Sequence, residues 1–217
     1  MVLTELYILR ASAPVVIIAA ASYSRLVAML YQIVSLLLEV VVGIVSGACL
    51  LRLYMQFLRI PMSVRSGNPL GRFVFALTDW IVLPLRRVLP SFGALDTASL
   101  VAAYLLQLAE FAVLWLLASG GTSGLFAVPI LAGFGLLRMA ISGLTGAVIV
   151  YAVLSWVSTQ SPMADIIERL VAPLLAPIRR VMPLIGGIDL SPLVLLLILQ
   201  IAVMVVGYLQ SAALQAF

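Results

Sequence analysis

The chain carries long apolar runs that alternate with two arginine-bearing segments, and this alternation restricts the fold most. Ser35 to Phe57, Thr97 to Ala118 and Leu190 to Ala213 are each long enough to cross a bilayer as a helix. Leu125 to Val157 is apolar over its whole length except for Arg138. At ~1.5 Å per residue, that run is too long for one simple crossing. It reads as a short dipping segment, Leu125 to Leu137, followed by a span from Met139 to Val157. The N-terminal residues 1–34 are more mixed, with Glu5, Arg10 and Arg25. Ala13 to Ala21 mimics a signal peptide; an added membrane helix and an upstream extension before Met29 are the other readings. A retained, weakly inserted or interfacial helix is expected.

Composition supports a membrane location and removes most catalysis. Charged residues make up 9% of the chain, against ~25% in a soluble domain. There is no His and one Cys, Cys49. Ser-His-Asp and Cys-His nucleophiles, His-ligated metal and intrachain disulfides are therefore ruled out. No catalytic residue, metal ligand or cofactor is expected, and an enzyme is not. All 12 basic residues are Arg. On such an apolar chain they read as topology and lipid signals, not as nucleic-acid contacts.

The two arginine-bearing segments align with each other. Residues 69–107 match 162–200 at a constant offset of 93, with 13 of 39 positions identical. The match is concentrated where Pro84, Arg86, Arg87, Pro90, Gly93 and Asp96 face Pro177, Arg179, Arg180, Pro183, Gly186 and Asp189. Upstream, Gln56-Phe57 resembles Ser155-Trp156 at an offset of 99. The fold class expected is an all-α polytopic membrane protein built from two tandem parallel repeats. Each repeat is span, amphipathic helix, Pro-Arg-Arg-Pro elbow, span. The boundaries are an extension over 1–34, repeat 1 over 35–118, a turn and short apolar segment over 119–138, and repeat 2 over 139–217. Eight of the Arg fall in the two mixed segments. This bias puts both elbows in the cytoplasm of a bacterium, with the chain multi-pass in the inner membrane.

Asn68-Pro69 and Ser161-Pro162 each place a capping side chain before Pro at the first helical position, so a helix is expected to start at both. Arg72, Ala76, Asp79 and Leu83 form one stripe, and Asp165, Glu168 and Arg169 lie on the matching one. Interfacial placement with Trp80 as an anchor is expected over full burial. Pro84 and Pro177 should break these helices, and Pro90 and Pro183 should stop them again. Gly93 and Gly186 would allow the turn back. Arg86, Arg87, Arg179 and Arg180 are candidates for anionic phospholipid head groups or a protein partner. Asp96 and Asp189 are the other candidates for those Arg, within one repeat or across the two.

Charges inside spans usually face a partner or the bundle interior. Glu110 and Arg138 are expected to approach each other, with Glu39 as the alternative. Arg52, close to a span end, should snorkel outward. Gln107 and Gln200 are equivalent and are expected to meet near a pseudo-two-fold axis. Gly43 and Gly47 permit close helix approach, in the fold or in a dimer. Cys49 reads as a small buried residue.

On Arg52 to Phe57, Asn68-Pro69, Pro84 to Ser99, Ser155 to Val157, Ser161-Pro162 and Pro173 to Pro192, the sequence resembles the YggT (YlmG) family of small membrane proteins. The likeness runs from about Met29 to the end. It implies an inner-membrane or thylakoid protein without an established biochemical activity. It also implies links to osmotic tolerance and cell division in bacteria, and to haem attachment during cytochrome b6f assembly in plastids. With no His, such a role here would be that of a scaffold and not of a haem ligand. The function expected is a non-enzymatic membrane scaffold or assembly factor that engages the bilayer, anionic lipid and an unidentified membrane or cytoplasmic protein. A small channel or osmotic-stress transporter is the alternative, and a homo-oligomer is left open.

Overall fold

A computed structural model describes residues 2–62, 68–89, 96–119, 127–157, 161–181 and 189–215; its side chains are described from residue 28 onward, save 118, 119, 156 and 157. The described residues form six α-helices: α1 (Val2–Phe57), α2 (Pro69–Arg86), α3 (Thr97–Ser119), α4 (Ala127–Val157), α5 (Pro162–Val181) and α6 (Ser191–Gln215). Four stretches are long and apolar enough to cross a membrane: Ala28–Phe57, Thr97–Leu117, Ala127–Ser155 and Ser191–Gln215. A helix closes its own backbone hydrogen bonds, which an apolar medium requires.

The helices pack as two groups of three. Helices α1, α2 and α3 touch one another, as do α4, α5 and α6, and α4 joins the groups by packing on α3 and α1. In the first group, Ala98, Ala102 and Ala103 of α3 bury against Cys49 of α1 and Val82 of α2. The small side chains let three backbones approach closely. In the second, Ile166, Leu170, Val171 and Leu175 of α5 pack with Val148, Leu195 and Leu199, and Met55 of α1 enters the same cluster. Tyr54 adds a polar tie, donating from Oη to the Leu170 carbonyl at 2.8 Å.

Two sequence expectations change here. Helix α4 runs unbroken through Arg138 for 31 residues, so no separate dipping segment precedes the span. Its Pro129 lies in the first turn, where a missing N–H costs no helical bond. Its internal glycines do not interrupt it, because a break inside an apolar slab would strand backbone polar groups. The surplus length is a matter of tilt or extension. Helix α1 is likewise one helix, of 56 residues.

Pro84 and Pro177 do not break their helices either. Helix α2 continues to Arg86, and α5 passes through Pro173 and Pro177 to Val181. All three prolines lie on exposed faces. The ring's clash with the preceding turn therefore falls on the side away from the packed one. Buried Val82 and Leu175 hold the opposite faces in place. Pro90, Gly93, Pro183 and Gly186 lie outside the described residues.

The starts of α2 and α5 follow the sequence closely. Asn68 Oδ1 accepts from the Gly71 N–H at 3.1 Å, and Ser161 Oγ accepts from the Ala164 N–H at 3.2 Å. Asn68 also donates to the Pro61 carbonyl at 3.0 Å. That bond lays the incoming loop against Gly71, where an added Cβ would stand 2.7 Å from the Met62 oxygen. Each short helix buries one face and exposes the other. Helix α2 buries Val74, Thr78 and Val82 and exposes Phe73 and Trp80. An exposed Trp whose N–H is already satisfied, here by Leu77 O at 2.7 Å, suits a membrane boundary.

Candidate functional site

The arginine pairs stand where one helix ends and the next begins. Arg86 is the last residue of α2, and Asp96 immediately precedes α3. A cation at a helix C-terminus and an anion at a helix N-terminus each complement the local dipole. The two residues form an ion pair between Arg86 Nη2 and Asp96 Oδ2, with Arg86 Nε donating to Oδ1 at 3.4 Å. Arg86 Nη2 also donates to Gln56 Oε1 of α1 at 3.3 Å. Asp96 caps α3, accepting from the Ser99 hydroxyl at 2.7 Å. Burial alone would raise its pKa, but the hydrogen bonds from Arg86 and Ser99 outweigh this and hold it below the ordinary carboxylate value.

A second clasp of the same kind joins α5 to α6. Arg179 pairs with Asp189, with Nη2 at 2.8 Å and Nε at 2.9 Å from Oδ2. Arg179 Nη2 also donates to the Tyr151 hydroxyl of α4 at 2.6 Å. Asp189 Oδ1 accepts from the Ser191 N–H at 2.9 Å and from its hydroxyl at 2.5 Å. Burial opposes the Asp189 charge, and Ser191 and Arg179 more than restore it, so this pKa too is lowered. The sequence left open whether each Asp would meet the Arg of its own segment or the other. Both meet their own.

Arg87 and Arg180 behave differently. Both are exposed, and neither side chain enters an ion pair with a described residue. Each arginine pair is thus split. The first guanidinium is held in an ion pair, and the second is exposed beside it.

Arg52 corrects the sequence reading. It does not snorkel outward but is 2% exposed, turned into the first clasp. Its Nη1 donates to Thr78 Oγ1 at 2.8 Å and pairs with Asp79 Oδ1 at 2.7 Å. Its Nε lies 3.8 Å from Asp96 Oδ2 without a hydrogen bond. Its guanidinium stacks over Phe75, 4.7 Å from the ring centre. The opposite charge of Asp79 on the inner edge of the α2 stripe was the available sign of this contact. Tyr151 was also missed. Carrying the 99-residue offset back from Gln56 sets it opposite Arg52.

The intramembrane polar residues are only partly brought together. Gln107 Nε2 donates to Glu110 Oε2 at 3.2 Å, and both are buried. Gly135 of α4 presses on this pair so closely that an added Cβ would lie 2.5 Å from Gln107 Oε1. Among the described residues, no ion pair joins Glu110 to Arg138. The charge that reaches Glu110 is that of Glu39. Gln200 is exposed while Gln107 is buried, and no hydrogen bond joins them. Met139 lies against both Gly43 and Gly47, so this motif serves internal packing.

Four apolar helices, with charged clasps at the ends of the connecting helices, define a small multi-pass membrane protein. The CCB3/YggT family matches this chain over residues 27–117 and 130–210. The chain belongs to that family. It is 39% identical to an uncharacterised protein of Vibrio alginolyticus encoded in the proC 3′ region, over 73% of this chain and 84% of the relative. It is 37% identical to the uncharacterised protein YggT of Escherichia coli K12, over 76% and 84%. An uncharacterised protein of Pseudomonas aeruginosa is 34% identical over 72% and 79%. No solved structure matches the chain.

Proposed function

We propose that this chain is a non-enzymatic scaffold or assembly factor of the bacterial inner membrane. It acts in envelope, division or stress processes through two arginine elbows of a tandem repeat. The observation that carries this reading is the split within each arginine pair. Arg86 and Arg179 are held by Asp96 and Asp189, whereas Arg87 and Arg180 are exposed without an ion-pair partner among the described residues. A rigidly seated elbow with one free guanidinium suits an anionic lipid phosphate, which Arg grips bidentately. The arginine bias supports a cytoplasmic face for both elbows, and anionic lipid is abundant on that leaflet.

The test is retention of phosphatidylglycerol against phosphatidylcholine by the purified protein, read by native mass spectrometry. Arg87→Glu with Arg180→Glu should abolish the preference for the anionic lipid while Cys49 stays protected from thiol reagents. Undiminished retention in that folded variant would remove the lipid role.

A further inference from the structure

Two charges within the spans have no ion-pair partner among the described residues. Glu39 of α1 is exposed and Arg138 of α4 is half-exposed. Neither forms an ion pair with a described residue. A second carboxylate, Glu110 of α3, lies close enough to feel the charge of Glu39. Lipid-facing charges are costly and ordinarily mark a partner.

Their positions match. The offset of 99 that sets Gln56 against Ser155 also sets Glu39 against Arg138. Each therefore lies roughly 27–28 Å from the C-terminal end of its helix, at ~1.5 Å per residue. Opposite charges at equal depth, on equivalent helices of the two groups, can meet between two copies that share one membrane orientation.

The surroundings of each charge are also unfilled. In α1, none of residues 28–41 is buried, whereas Val42, Ser46, Ala48, Cys49, Arg52 and Met55 below them are. Over four turns α1 thus buries no side chain, and only Ser35 and Leu38 are partly covered. On α4, Arg138 shares a face with Ser142 and Gly146, both exposed. An added Cβ at Gly146 would meet nothing within 4 Å. A helix face of small residues admits a second helix at close range.

We propose that the chain self-associates in the membrane, with α1 of one copy on the Ser142–Gly146 face of α4 of the next, and Glu39 paired with Arg138 across the contact. The surfaces joined are different on the two copies, so the association is head-to-tail.

Charge reversal tests the pairing in the full-length protein. Oligomer fraction is read by native mass spectrometry and by single-molecule photobleaching in liposomes. Glu39→Arg alone and Arg138→Glu alone should each weaken association at least tenfold, and the double reversal should restore it. Cys49 protection verifies folding, and Glu39→Gln replaces any variant that loses it. In a Cys49→Ala background, a mixture of Glu39→Cys and Arg138→Cys chains should oxidise to a dimer, and neither chain alone should. A wild-type chain that stays monomeric overturns the proposal. So do single reversals without effect, or a crosslink that forms only within a doubly substituted chain.

Discussion

Replacing Asp96 with Asn should destabilise the protein far more than replacing Asp189 with Asn. Asn is nearly isosteric with Asp and also caps helices well, so both substitutions chiefly remove charge. The Asp96 side chain is 1% exposed; its partner Arg86 is 40% exposed, but Arg52, 3.8 Å away, is 2% exposed. Loss of one partner from a buried ionic cluster leaves a buried cation short of compensation and costs about 3 kcal/mol or more. Asp189 and Arg179 are 27% and 38% exposed. Water replaces much of what that pair provides, so its loss costs about 1 kcal/mol or less. In a chain of this size, 1 kcal/mol moves the melting point by about 2–4 °C. Asp96→Asn should then melt about 6–12 °C below the parent, and Asp189→Asn no more than about 4 °C below it. Cys49 supplies the assay. It is the chain's single cysteine and is fully buried among Val82, Ala98 and Ala102, beside the first clasp. A thiol-reactive fluorophore added at neutral pH during a thermal ramp lights up when that cluster opens. Equal shifts for the two variants, or a larger one for Asp189→Asn, would refute the burial argument.

Two further outcomes follow from local structure. Asp96 and Asp189 both have lowered folded-state pKa values, so their stabilisation is complete above the unfolded value of about 3.9 and is lost as pH falls through the folded values below it. Tryptophan-monitored melting should decline below about pH 4, and the Asp96→Asn, Asp189→Asn double variant should show a shallower decline. Arg59 ends α1 with φ 54, and Ile60 N–H donates to Met55 O at 2.9 Å across that turn. Gly is the residue this left-handed position favours, so Arg59→Gly should raise stability by up to about 1 kcal/mol in the same assay.

Much of the architecture was legible because its signals are local. Four apolar runs mark four spans, and Asn68-Pro69 and Ser161-Pro162 fix two helix starts to the residue. The Arg–Asp clasps were half legible. The aligned segments placed the four residues in correspondence, but sequence cannot say how far the chain turns between Arg86 and Asp96. The errors came from treating local cost as decisive. Pro84 and Pro177 each remove a backbone donor, yet packing on the far side of the helix outweighs one lost bond. Arg138 interrupts an apolar run, yet it does not interrupt the helix, because helix continuity answers to backbone satisfaction and not to side-chain polarity. For Arg52, distance from a span end does not decide which way the side chain turns. Its orientation is set by Thr78 and Asp79, which sit 26 and 27 residues away in sequence.

The two clasps share a plan but not a composition, and the difference keeps each one electrically balanced. The first holds Arg52 and Arg86 against Asp79 and Asp96. The second holds Arg179 against Asp189 alone. At the aligned positions, Arg52 faces Tyr151, Thr78 faces Val171 and Asp79 faces Ala172. A cation, its counter-ion and a neutral acceptor thus differ as a set, and the net charge of each cluster is zero. That is the pattern expected where charge is buried. Removing one member of an ionic pair strands the other, whereas exchanging both members for uncharged groups of fitting shape is nearly neutral. Tyr151 still reaches Arg179 through its hydroxyl at 2.6 Å, and Gln56 reaches Arg86 at 3.3 Å. In both groups, then, the long first helix steadies the clasp guanidinium through an uncharged oxygen. What the two groups hold in common is therefore an arginine fixed by an aspartate and a neighbouring helix, with a second, exposed arginine next to it in sequence.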